Sequence, residues 1–357
     1  MSTIKRNYGI ELLRIVAMYM IVVIHTLNQG GILGMTEAGS VKYIILWGME
    51  ILGSCAVNCY ALISGYVGYS SKYKYSRLLM IWLQILFYTC IITMIFNFTF
   101  PEKITIQSWI NAIFPVTSKQ YWYLSSYVGM FFFIPFLKWI IEKIDLKQYK
   151  IFIITIILFF CVLPTIFQSD PYSMGSGYSM VWLMIMYLLG AGIRKFQLFK
   201  EYSNVKILMC YVLNVLLTVV SKMIIGRVPE LDATRYKYML MWYVSPTMFI
   251  GSICLLIMFI RFKIDSTFIQ KLISLFSSVT LGVYMIHTHP LIWTNCLGGI
   301  STDLYKLDTV IMLKKFIILT LIIYVGCSII DFIRLQIFKI FRITQVCKKI
   351  DKKLNVW

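Results

Sequence analysis

Charge is what this sequence has least of. Only 14% of its 357 residues are Asp, Glu, Lys or Arg, while 59% are hydrophobic, and the mean hydropathy is +0.78. A soluble core cannot hide that much apolar surface, so lipid is the solvent for most of the chain. No polar stretch is long enough to fold as a separate soluble domain. Acids are scarcer than bases, 15 against 34, for a net charge of +19. Such an excess often marks nucleic-acid binding. Here the basic residues sit in short loops between apolar runs, which argues for membrane lipid and against nucleic acid as partner. The nine cysteines are scattered, mostly within apolar runs, without metal-ligand spacing. No metal is expected, and Cys55 and Cys59 read as small buried apolar groups one helical turn apart. Histidine is rarest among the titratable types, with only His25, His287 and His289.

What is there is a series of runs of about 20 apolar residues, each long enough to cross a bilayer as a helix. Ten are expected, at 8–27, 43–66, 78–99, 121–141, 150–168, 180–198, 206–225, 238–260, 270–292 and 312–338. Turn-rich or charged stretches such as "NQGGILGMTEAGS" and "QSDPYSMGSG" separate them. With the N-terminus inside, 23 Lys and Arg fall on the inner side and 10 on the outer, Arg14 lying within a span. The expected fold is therefore all-α: a polytopic membrane bundle of about ten helices with both termini cytoplasmic. Residues 1–340 form a single transmembrane domain and 341–357 a basic cytoplasmic tail lying against anionic lipid. Lys5 and Arg6 precede an apolar run as in a signal peptide, but charges break that run and it has no small-residue cleavage site, so it is expected to be retained.

The first run, "GIELLRIVAMYMIVVIHT" (9–26), carries Glu11, Arg14 and His25. At about 100° per residue these share one helix face, within roughly 40° for Glu11 and His25. Charged groups are costly in lipid, so that face points into the bundle. Glu11 and Arg14 are i, i+3 neighbours and can pair. His25 stands about 16 Å further along the axis from Arg14, beyond the reach of Glu11.

The spacing from Arg14 to His25, with an acid three residues before the arginine, resembles the opening of the acyltransferase-3 superfamily. Further stretches are similar to family blocks in the same order: "NCYALISGY" (58–66), "KYSRLL" (74–79), "YWYLSSYVGMFFFIPFL", "YLLGAGIRK" and "SVTLGVYMIHTHPLI", the last containing His287. In "KYSRLL", Lys74 stands where the family has the first arginine of an R-x-x-R loop, and Arg77 is the second. Lysine keeps the charge but loses the planar fork that grips phosphate with two bonds.

The resemblance implies a multi-pass enzyme of a bacterial-type plasma membrane. Its activity would be O-acyl transfer, most often of acetyl from cytoplasmic acetyl-CoA, to a hydroxyl of a capsular, exported or cell-wall glycan. Some relatives of this kind carry an extracytoplasmic hydrolase-like or racemase domain, and none is expected here. On this reading Arg14, Lys74 and Arg77 hold the CoA phosphates. His25 is the general base or forms an acetyl-histidine. Glu11 and His287 complete the candidate catalytic set, His287 as a second acid/base, an orienting partner or a packing residue at a depth similar to His25. His289, beside Pro290, reads as a helix-end residue. Of the outer aromatics, Trp122 and Tyr123 are the candidates for stacking on sugar. Trp109 and Tyr121 fit an interfacial belt equally well. Ser64 and Gly65 read as tight helix packing. The competing function is a transporter of a small solute or lipid-linked sugar whose pathway the charged helix lines, although no inverted repeat stands out.

Overall fold

The computed structural model describes residues 6–354; Lys5 and residues 355–357 of the expected tail lie outside the described residues. Helices begin where the sequence offers an oxygen to an unpaired backbone N–H. Asn7 caps α1 (Tyr8–Asn28) and Ser40 caps α2 (Val41–Ser54), which runs at Cys55 into α3 (Ala56–Tyr69). Next come α4 (Tyr75–Thr99), α5 (Ile106–Ile113), capped reciprocally by Thr105 and Ser108, and α6 (Trp122–Lys143). Asp145 and Gln148 cap α7 (Leu146–Thr155) in the same way, and a π-helical stretch joins it to α8 (Leu163–Phe167). Serines start α9 (Met180–Phe196) and α10 (Asn204–Ile225). After the short α11 (Pro229–Asp232) come α12 (Pro246–Ile260), α13 (Thr267–His287) and the short α14 (Pro290–Ile292). The chain finishes with α15 (Thr309–Ile340), capped by Asp308, and α16 (Ile343–Leu354).

Apolar helices stand at all ten expected places. Eight are long and apolar enough to cross a membrane, counting α2–α3 and α7–α8 as one each. The other two are shorter: α9 has 17 residues and α12 has 15. At 1.5 Å per residue α12 covers about 22 Å, less than the roughly 30 Å hydrocarbon core. Its expected start at 238 fails because residues 235–245 form a tight turn and an irregular strap, and the helix begins only at Pro246. Likewise the span expected over 270–292 stops at His287 before Pro290, whose ring and missing N–H end the helix. The outer surface is apolar in the way lipid demands: Leu213 and Leu217 on α10 and Ile322 on α15 are about 60% exposed. The chain is a multi-pass integral membrane protein.

Helix α1 is the hub, packed against α2, α3, α12, α13 and α15. Helices α3 and α9 touch most intimately, because Gly65 and Gly190 leave room for backbone where a Cβ would strike the Tyr187 and Leu62 carbonyls. Helices α4, α13 and α15 meet around one buried carboxylate. Asp331 is fully buried and accepts hydrogen bonds from Gln84 (3.1 Å), Tyr88 (2.6 Å) and both sides of the Arg334 guanidinium (2.9 Å each). Gly282 of α13 lies against this carboxylate with no space for a side chain.

Removing one partner of a satisfied buried ion pair leaves the other uncompensated. Asp331→Ala is therefore expected to destabilise the detergent-solubilised protein by about 3–5 kcal/mol, read as a lowered thermal midpoint. Replacing Asp331 and Arg334 together by leucine and methionine should recover a substantial part of that loss. Equal midpoints for wild type and Asp331→Ala would contradict this account.

Candidate active site

The polar face of α1 separates into two ends. At its amino-terminal end, Arg14 Nη1 lies 3.0 Å from each carboxyl oxygen of Glu11, and Arg6 approaches the same carboxylate at 3.5 Å. Glu11 is therefore engaged by two arginines and lies about 21 Å along the helix from His25. It has no hydrogen bond to the histidines and holds Arg14. Arg14 keeps 28% of its side chain exposed.

Lys74 and Arg77 are exposed at the start of α4, where they meet α16. The Asp351 carboxylate accepts from the Ser76 backbone N–H at 2.9 Å and from its hydroxyl at 2.5 Å. Burial alone would raise the Asp351 pKa. The Ser76 hydrogen bonds and the Lys74 and Arg77 charges outweigh that and hold it below the usual carboxylate value. The carboxyl-terminal segment expected to lie against lipid is thus an amphipathic helix docked on α4.

At the other end, α1 presents His25 to His287 of α13, Nδ1 to Nε2 at 2.9 Å. The next contact along the chain fixes the protons. His287 Nδ1 lies 2.5 Å from the Val283 carbonyl oxygen, which can only accept. Nδ1 of His287 therefore donates, and its Nε2 in the neutral ring carries a lone pair. His25 Nδ1 must then donate to it, which leaves the lone pair of His25 on Nε2. That atom is not among the sealed unpartnered polar atoms, and His25 lines a cavity of about 540 Å³. An unprotonated ring nitrogen thus opens onto a ligand-sized space. Trp293 packs its edge on the His25 ring at 4.9 Å, and Gln29 donates to the Trp293 carbonyl, fixing that indole to α1.

Trp122 lines the same cavity, stacked on Tyr243 with Tyr178 beside it. Tyr123 points elsewhere. It stacks on Tyr127 and lines a narrow cavity of about 30 Å³ with Met18, Ile21, His25 and Tyr60. The Tyr60 hydroxyl donates to the Arg14 backbone carbonyl, so this crevice lies between the two ends of the polar face. His289 is buried and accepts from the Leu291 N–H at the start of α14. Desolvation lowers its pKa to about 4, so it stays a neutral cap.

The sequence reading missed Glu50, Trp242 and Tyr243. Glu50 of α2 is 8% exposed, lines the histidine cavity, and has Oε2 sealed without a partner. The missed signal was the one that found Glu11, an acid within an apolar run. Trp242 and Tyr243 come from the 235–245 strap, whose residues from 238 onward the sequence assigns to a span. Buried Lys222 anchors the stretch leading into that strap: it pairs with Asp232 at 2.7 Å and sits 4.1 Å over the Trp47 ring. Among the described residues no cluster of His, Cys, Asp and Glu is arranged to hold a metal ion.

Residues 7–332 match the family model described as an acyltransferase domain, nine-tenths of the chain. The chain belongs to the acyltransferase-3 family. No curated protein and no solved structure matches it. Membership makes it a membrane acyltransferase and displaces the transporter reading; the histidine pair, Arg14, Lys74 and Arg77 all lie within the matched region.

Two expectations follow. His287→Ala should lower acyl transfer about 10-fold or more by freeing the His25 ring, with the half-saturating acyl-donor concentration unchanged. His287→Gln, whose amide oxygen can accept from His25 Nδ1, should recover part of the rate. Because the Asp351 pKa is depressed on docking, its contribution is present above the ordinary carboxylate range and lost as pH falls through the lowered value. Asp351→Asn should remove it at neutral pH and speed tryptic cleavage near Lys348 by about threefold, the modest size reflecting solvent exposure.

Proposed function

We propose that the protein is an O-acetyltransferase that moves an acetyl group from cytoplasmic acetyl-CoA to a hydroxyl of a cell-surface or exported polysaccharide. The observation that carries the reading is the pair of hydrogen bonds from Val283 through His287 to His25, which leaves a basic nitrogen facing a water-accessible cavity. Arg14, Lys74 and Arg77 hold the CoA phosphates at the amino-terminal end of α1, taken as cytoplasmic. The pantetheine arm follows the crevice beside Tyr60 and Tyr123 toward His25. The distance of about 16 Å between Arg14 and His25 suits an extended arm of that kind.

In the proposed step His25 Nε2 accepts the proton of the acceptor hydroxyl as its oxygen attacks the thioester carbonyl. The C–S bond breaks, the ester C–O bond forms, and the imidazolium returns the proton to the departing CoA sulfur. As its Nε2 takes up the proton, the positive charge is shared with His287 through the bond already in place, so the pair needs no rearrangement. No carboxylate is required next to the base.

The test uses inverted membrane vesicles, labelled acetyl-CoA and transfer of label into glycan. His25→Ala is expected to lower transfer by about 10²–10⁴-fold. Arg14→Ala with Arg77→Ala should raise the half-saturating acetyl-CoA concentration by about 10-fold or more, because each guanidinium supplies charge-assisted bonds to phosphate. Undiminished glycan labelling in the His25→Ala vesicles would refute the assignment of the base.

A further inference from the structure

A second large cavity, of about 550 Å³, lies toward the other end of the bundle from the histidine pair. It is enclosed by the last turns of α3, α9 and α12. Asn7, which caps α1, donates from Nδ2 to the Ile260 carbonyl at 3.0 Å, so the end of α12 adjoins the start of α1. The cavity therefore stands at the Arg14 end of α1, taken as cytoplasmic. It shares no lining residue with the histidine cavity or the Tyr60 crevice, and Arg14, Lys74 and Arg77 do not line it.

Four cations line this space, Arg194, Lys195, Lys200 and Arg261, and no carboxylate does. Two of them are held by the protein's own oxygens. Lys195 donates to the Ile141, Glu142 and Ile144 carbonyls around the end of α6. Arg261 donates to the Phe199 and Tyr202 carbonyls and to the Asn204 side chain. Arg194 is half-buried, and among the described residues its one hydrogen bond runs from Nη1 to the Tyr66 hydroxyl at 2.9 Å. Lys200 is exposed. All of these partners are neutral, so none cancels a charge. Helix carboxyl ends carry about half a negative charge each, and the ends of α3, α6, α9 and α12 together offset about two of the positive charges. An excess of about two remains, matching Arg194 and Lys200.

The guanidinium has five N–H donors in a planar fork that fits phosphate oxygens, and Tyr66 takes one of them. The rest of the wall is apolar, with Leu198, Ile257 and Ile260 beside the ring of Tyr69. A soluble anion gains nothing from such a surface, whereas the glycerol and first acyl carbons of a phospholipid do. Basic pockets between membrane helices suit anionic headgroups for this combination of reasons.

We propose that this cavity binds the headgroup of an anionic phospholipid. Arg194 and Lys200 hold its phosphate, and Leu198, Ile257 and Ile260 cover its glycerol backbone. Net charge is the selecting feature: a zwitterionic headgroup carries its own cation toward Arg194 and Lys200, and phosphatidylglycerol does not. The site is separate from acyl transfer and does not depend on the transferase reading.

The experiment titrates the full chain, delipidated in detergent, with phosphatidylglycerol or phosphatidylcholine and follows bound lipid by native mass spectrometry. Wild type is expected to prefer phosphatidylglycerol by about 20-fold at its tightest site, since each cation near a headgroup contributes about fivefold. Lys200→Gln should reduce that preference about fivefold, and Arg194→Gln with Lys200→Gln should bring the two lipids level. Lys200 is exposed, so the single variant decides the matter if the double variant does not fold. Lys271→Gln is the control: Lys271 is an exposed cation near the start of α13, at the same end of the bundle and outside the cavity. It should leave the preference within about twofold. A preference absent in wild type, unchanged in Lys200→Gln, or reduced as much in Lys271→Gln overturns the proposal. Competition with excess inorganic phosphate and with excess coenzyme A separates a headgroup from a soluble phosphate. Neither should displace the lipid. Displacement by either makes the cavity a soluble-anion site and removes the lipid from it.

Discussion

A bilayer offers no hydrogen bonds, so every polar group carried into it must be met from inside the bundle. That constraint organises this protein more than any hydrophobic contact. Asp331 draws four donors from two helices and brings a third up against Gly282. Lys222 is met by Asp232 and the face of Trp47, which secures the chain leading into the strap over the cavity. Glu11 is met by Arg14 and Arg6. Where the demand is met the result is architecture. Where it is left unmet, at His25 Nε2, the nitrogen opens onto a ligand-sized cavity.

The arrangement also explains why α1 lies in the middle. A helix with a charged pair at one end and a histidine near the other has no face fit for lipid along that line, so it must be enclosed on that side. Five neighbours enclose it. Once enclosed, its polar face becomes the reference to which α13 brings His287 and α3 brings Tyr60. The separation of those groups is then set by helical rise and not by loop conformation, which favours reproducible geometry in a protein whose loops are short.

Much of this was legible in the sequence because lipid makes polar residues conspicuous. The apolar runs located the helices, and the 3.6-residue period alone puts Glu11, Arg14 and His25 on one face. The family blocks pointed to acyl transfer, and estimated depth put His287 level with His25, though not in contact with it. What escaped the sequence depended on contacts between distant segments. Nothing local distinguishes the Val283 carbonyl from any other, yet it sets the tautomer of both histidines. The strap over 235–245 is as apolar and aromatic as a span, so hydropathy absorbed Trp242 and Tyr243 into a helix that starts only at Pro246. The docking of α16 on α4 was hidden for a similar reason: its basic residues match an anchor on anionic lipid, and the single aspartate that binds Ser76 carries no pattern of its own.

The Val283 carbonyl has one more effect. In a chain of hydrogen-bonded groups that ends on a carboxylate or on water, a proton can be passed outward and lost. Here the chain ends on a peptide oxygen, which is far too weak a base to hold a proton in neutral solution. The two imidazoles are thus a blind alley for protons: charge can spread across both rings, but the only exit is the nitrogen by which it entered. Such a pair gives a proton no path onward beyond Val283. A proton accepted at His25 Nε2 would therefore leave by the same cavity.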